Sequence, residues 1–239
     1  MVWMIFASLC AYFVKGLCGF ANTLVFTTIL SFGLDNVNIS PVELLLGYPT
    51  NLMIIGKEKE HIDWKIWLPL SALVLLGDIP GIMILKNTNA KEVKIVFGFV
   101  IIALGVEMFF RERSTKKAKE SKIALGIIGI VSGVLCGIYG IGALLAAYVS
   151  RVTESSKEFK ANICIVFFVE NTFRIVMYAC GGIITLSVVK QAAVLIPVML
   201  LGMFAGMKSS SFLDEKIVKK LVIIMLILSG VALIVTNFQ

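Results

Sequence analysis

Apolar residues run along this chain in continuous blocks, and short charged stretches separate them. Eight blocks stand out, at about 2–33, 41–56, 66–85, 93–110, 123–150, 159–180, 191–207 and 217–237. A helix that crosses a bilayer takes about 20 apolar residues, so most blocks are one crossing long. The first and fifth are longer, and both break at the same letters. Leu17, Cys18 and Gly19 interrupt VKGLCGFANTL; Leu135, Cys136 and Gly137 interrupt SGVLCGIYGIGALL. The blocks also recur in one order. VKIVFGFVIIALGV from Val93 aligns with VKKLVIIMLILSGV from Val218, LLGDIPG from Leu75 with LLGMFAG from Leu200, and Asn51 with Asn171. The offset drifts between 118 and 125 positions, as short loop insertions would cause. The pattern predicts an all-α polytopic membrane protein built from two repeats, 1–112 and 123–239, joined by a basic linker at 113–122.

Composition agrees with that class. Hydrophobic residues make up 59% and charged residues 15%, with a mean hydropathy of +0.96, whereas a soluble domain carries about 25% charged residues. No stretch is long and polar enough for a second, soluble domain. The first block has no basic start, unlike a cleavable leader. The net charge of +7 sits in loops, so it reads as a topology signal rather than a nucleic-acid surface.

Counting loop Lys and Arg sharpens the topology. With all eight blocks crossing, each side of the membrane holds ten, and the bias expected of a membrane protein is missing. If 123–150 instead dips in and returns, one side holds sixteen and the other four. Loops 57–65, 111–122, 151–160 and 208–220 then face the cytoplasm. If 2–33 is also a re-entrant hairpin, each half has one hairpin and three transmembrane helices. An odd number of crossings makes the halves inverted repeats, a common transporter plan. The competing plan is two long, tilted, kinked helices. The expected location is the cytoplasmic (inner) membrane, multi-pass.

Polar residues far from a loop are costly and mark candidate chemistry. Lys15 directly precedes the first break, where it either snorkels to an interface or faces a cavity. Asn22 follows on the second arm. Backbone N–H groups freed at a helix start attract anions, and Gly140 and Gly142 give the second break the same permissive backbone. Tyr139 stands beside it. Glu170 and Arg174 are one turn apart, close enough for an internal ion pair; alternatively Arg174 holds an anion while Glu170 takes a proton. Asn51 and Asn171 are candidate donors to substrate oxygens. Asp78, in GDIPG, would pair with Lys15 or carry protons. Ser40-Pro41-Val42-Glu43 reads as a helix start with a capping box, which leaves Glu43 no further role. Of five cysteines none forms a C-x-x-C pair, so neither zinc nor a thioredoxin-like relay is indicated. Cys18 and Cys136, at the breaks, are candidates to touch a sulfur-containing substrate. No Walker motif, H-E-x-x-H or nucleophile triad occurs. The chain is thus not expected to be an enzyme or to bind a cofactor or metal. The expected partners are a small anionic substrate and the lipid bilayer, not nucleic acid, with a homodimer left open.

These residues resemble the TauE/SafE sulfite exporter family, also called DUF81 or the toluenesulfonate uptake permease family. LCGIYGIGALL is similar to the family's G-x-x-G-I-G-G-G pattern, while KGLCGFANTL departs from it, with Asn22 where the glycine cluster would stand. IDWKIWLPL from Ile62 with LLGDIPG, the serine-proline start at Ser40, and Thr50-Asn51 also match. The resemblance covers nearly the whole chain. It implies a secondary transporter of small sulfur-containing or organic anions, such as sulfite, sulfoacetate or other organosulfonates, working by alternating access. Two other classes fit the residues: a membrane thiol/disulfide redox carrier, which requires a Cys18–Cys136 bond, and a channel-like anion pathway.

Overall fold

The computed structural model describes residues 2–34, 36–87, 89–113, 122–209 and 215–238. Residues 114–121 of the basic linker and the side chain of Cys18 lie outside the described part. Every regular element among the described residues is a helix. The first half contains α1 (Val2–Cys18), α2 (Asn22–Leu30), α3 (Asn36–Glu58), α4 (Trp64–Asn87) and α5 (Ala90–Arg113). The second contains α6 (Lys122–Tyr139), α7 (Ala143–Val152), α8 (Ser156–Cys180), α9 (Leu186–Ser209) and α10 (Glu215–Phe238). A single 3-10 turn, Lys59–His61, joins α3 to α4. Helices α4, α5, α8 and α9 carry apolar stretches long enough to cross a membrane. At 1.5 Å per residue, α4 is about 36 Å long, enough for a hydrocarbon core of about 30 Å.

Both long blocks break into two helices. Gly19 after α1 has φ +84° and Gly140 after α6 has φ +73°, a left-handed conformation that costs glycine least. At each break the glycine N–H donates to the carbonyl four residues back, Lys15 or Cys136, at 2.7 Å.

The hairpins are packed across the halves. Helix α1 lies along α9, and α6 along α4, while α5 pairs with α10 and α3 with α8. Small residues allow the close approach. A methyl group at Gly137 would stand 2.7 Å from the Asp78 carbonyl oxygen and 2.9 Å from Gly81 Cα. One at Gly16 would collide with the Met203 carbonyl oxygen. If LLGDIPG is set on LLGMFAG, as the sequence pattern predicts, Asp78 matches Met203, and these contacts then pair Gly16 with Gly137 and Gly19 with Gly140. The expected equivalence of the two Leu-Cys-Gly triplets therefore fails: they are offset by three residues. Cys136 corresponds to Lys15, and Cys18 to Tyr139. Gly137 lies inside α6, where it serves helix packing and not the break.

Contacts between loops fix which ends lie together. Asn162, near the start of α8, accepts from the Asp63 N–H at 2.9 Å and donates to the His61 carbonyl at 3.1 Å. Arg151, at the end of α7, meets Glu107 of α5 at 3.9 Å. Segments 57–65 and 151–160 thus share one end of the bundle, and α7 returns to the end where α5 finishes.

The two broken segments meet α8 at different levels. The stem of Lys160, early in α8, covers Gly19, and Phe20 meets Phe159 edge-on at 5.8 Å. Near the other end of α8, the Tyr178 hydroxyl donates to the Gly137 carbonyl at 3.0 Å.

Candidate functional site

A cavity of about 440 Å³, counting the part open to solvent, lies where both breaks meet the middles of α3 and α8. Residues Phe20 to Leu24 and Gly140 to Ala143 bring the two breaks to its wall. Helix α3 contributes Glu43, Gly47 and Asn51; α8 contributes Phe167, Glu170 and Asn171; Lys15 comes from α1.

The wall combines backbone and side-chain donors. Helix α2 begins after Ala21 and α7 after Gly142, and neither start has a side-chain cap. The first N–H groups of a helix have no partner within it, and the helix dipole puts partial positive charge there. Two such starts therefore converge on one cavity. Ala21 has φ +72°, a conformation that costs a non-glycine residue about 1–2 kcal/mol. That strain is stored at the cavity wall.

Lys15 and Arg174 are the two basic residues that are buried among the described residues, and they are held differently. Lys15 Nζ donates to Asn51 Oδ1 at 2.7 Å and lines the cavity. Arg174 stands behind the wall: a methyl group on Gly140 would lie 3.2 Å from its guanidinium. It donates to Glu170 Oε1 and to Ser40 Oγ, each at 2.9 Å. Its guanidinium also lies 5.2 Å from the Tyr178 ring centre, within range of a cation–π contact. The ion pair foreseen between Glu170 and Arg174 is present, and it neutralises the Glu170 carboxylate at the wall.

Glu43 and Ser40 do not form a capping box. Helix α3 begins at Asn36, so both are interior positions of a helix. Glu43 is buried and accepts from the Asn22 amide, while Ser40 serves Arg174 and Tyr178. A real Ser-to-Glu cap sits at α8, where Ser155 Oγ accepts from the Glu158 N–H at 3.1 Å. Glu43 is the wall residue that the sequence pattern concealed. The only signal available was its place in an apolar block beside Tyr48-Pro49-Thr50-Asn51.

The remaining candidates divide. Asn22, Asn51 and Asn171 line the cavity. Tyr139 points elsewhere: its hydroxyl donates to the Val93 carbonyl at 3.0 Å and its ring lies 4.8 Å from Phe97. Cys136 is a free thiol 3.5 Å from the Ile141 carbonyl. Asp78 is buried on α4, with neither carboxylate oxygen bonded among the described residues. It is not paired with Lys15, whose amine is turned to Asn51.

Four described helices of membrane-crossing length mark a multi-pass membrane protein, and one of them, α8, lines the cavity. The chain belongs to the sulfite exporter TauE/SafE family, which it matches over residues 4–233. It is 21% identical over 199 residues to a probable sulfite/organosulfonate exporter TauE of Cupriavidus necator. That overlap covers 76% of this chain and 77% of that protein. No solved structure matches the chain.

Proposed function

We propose that the protein is a secondary transporter of small sulfur-containing or organic anions, sulfite or organosulfonates among them, in the cytoplasmic membrane. The observation that carries the reading is the convergence of two uncapped helix starts and Lys15 on one cavity. Each supplies positive potential where water is scarce. A sulfonate or sulfite presents three oxygens, and Lys15, Asn22, Asn51 and Asn171 are placed around the cavity to donate to them. Arg174 acts from behind by neutralising Glu170, so that the wall at α8 does not repel an anion.

Alternating access follows from the same parts. The reading takes the halves as inverted repeats, each a re-entrant hairpin and three crossings. Two observations support it: α7 returns to the end where α5 finishes, and the broken segments meet α8 at different levels, Gly19 near its start and Gly137 near its end. Each hairpin rides on a helix of the opposite half, so rocking of one half carries a tip with it and moves one wall of the cavity.

The test is binding followed by flux. Purified protein is melted with sulfite, thiosulfate, ethanesulfonate and sulfoacetate. A ligand at about 100 times its Kd stabilises the folded state by about 2.7 kcal/mol. Lys15→Ala removes a charge-assisted contact and lowers affinity about 10- to 150-fold. No stabilisation by any of the anions, or wild-type flux in Lys15→Ala proteoliposomes, would refute the reading.

A further inference from the structure

Glu43 is the one charge at the cavity wall that an anion site does not call for. Glu170 is neutralised by Arg174. Lys15 and Glu43 line the same cavity without an ion pair between them; Lys15 is turned to Asn51, and Glu43 to Asn22. Those two opposite charges balance while the cavity holds no anion. An incoming anion takes Lys15 as its counter-ion and leaves Glu43 as an uncompensated buried carboxylate, which is costly. Gly47, one turn along α3, keeps that carboxyl in view of the cavity: a methyl group there would lie 3.2 Å from Glu43 Oε1. Tyr12 and Lys15 of α1, Cys136 of α6, and Glu170 and Arg174 of α8 are the titratable and charged groups facing it. Asn22 and Thr23 face it from α2.

We propose that Glu43 is the proton-binding residue of this site, taking up one proton from the aqueous phase with each anionic charge that binds. The inference rests on the anion reading of the cavity. Protonation turns one carboxyl oxygen into a donor that can face the anion, while the other still accepts from Asn22. The site then holds the same net charge full as empty, and proton and anion cross together. Asp78, outside the wall, has no part in this step.

The test is titration calorimetry of the full chain with ethanesulfonate, whose own charge is constant over the assay range, in buffers of different ionisation enthalpy. The wild type takes up about one proton per anion, and its affinity weakens about tenfold per pH unit on the alkaline side. Glu43→Gln keeps the acceptor for Asn22 and binds with no uptake and a flat pH profile. Glu43→Asp restores uptake, and Asp78→Asn leaves it in place. Wild-type binding without uptake overturns the proposal, whether or not Glu43→Gln folds; so does uptake that survives in Glu43→Gln or vanishes in Asp78→Asn. If ethanesulfonate and every other anion named above fail to bind the wild type, the anion reading itself falls, and this proposal with it.

Discussion

Replacing Arg174 should unfold the protein more readily than it impairs recognition of the anion. The side chain is 1% exposed, and Glu170 beside it is 2% exposed. Arg174→Met keeps much of the stem volume but removes the bonds to Glu170 and Ser40 and the contact with Tyr178. What remains is a buried carboxylate without its cation, a loss of about 3–5 kcal/mol. Glu170→Gln strands the guanidinium instead and should cost a similar amount. The double replacement strands nothing, so its loss should be about that of one single replacement or less. The two changes are then non-additive by about 3 kcal/mol or more, the mark of residues in direct contact. The assay is reversible unfolding in a mixed-micelle denaturant series, supported by thermal melting. For a chain of this size about 1 kcal/mol moves Tm by about 2–4 °C, so Arg174→Met should melt at least about 6 °C lower. Single losses below about 1 kcal/mol that simply add would refute the strut role and return Arg174 to the list of direct substrate ligands.

Two glycine substitutions should part in sign. Gly137→Ala sets a methyl group against the backbone of α4 and should destabilise by about 1–3 kcal/mol, whereas Gly126→Ala, with nothing within 4 Å, should stabilise by about 0.4–1 kcal/mol; unfolding midpoints read both. Ala21→Gly should relieve the left-handed strain at the first break and raise Tm slightly, and a fall in Tm would place the strain elsewhere. Cysteines introduced by Lys59→Cys and Glu154→Cys should react with an impermeant thiol reagent from the same side of the membrane; labelling from opposite sides would contradict the re-entrant path of α6 and α7.

The helices were legible because their signal is long. Each of the eight apolar blocks reappears as a helix or a broken pair of helices, most with ends a few residues further out, while the first stops sooner, at Leu30. Asn51 and Asn171, which both line the cavity, were legible for the same reason: a polar residue inside a long apolar helix stands out. Short patterns failed. Leu-Cys-Gly occurs twice, yet helix contact sets the register: Gly16 must face Met203, and Gly137 must face Asp78. Ser-x-x-Glu also occurs twice, at Ser40–Glu43 and at Ser155–Glu158. Only the second caps a helix, because whether a pattern caps depends on where the chain before it turns helical. In α3 that happens four residues earlier, at Asn36, and Glu43 is carried inward to the cavity instead of sitting at a helix end.

The crossed packing of the hairpins sets a timetable for synthesis. Helix α1 is made before its close partner α9, which lies about 190 residues further along the chain. At about 5–20 residues per second, α1 waits about 10 to 40 s before the face that receives Gly16 exists. Meanwhile α4 emerges with Gly77 and Gly81 uncovered until α6 arrives. Neither half can close its own helix contacts, so an isolated half would leave both of these glycine faces open. Stable insertion of the N-terminal helices depends on whatever shields them until the last third of the chain has been made.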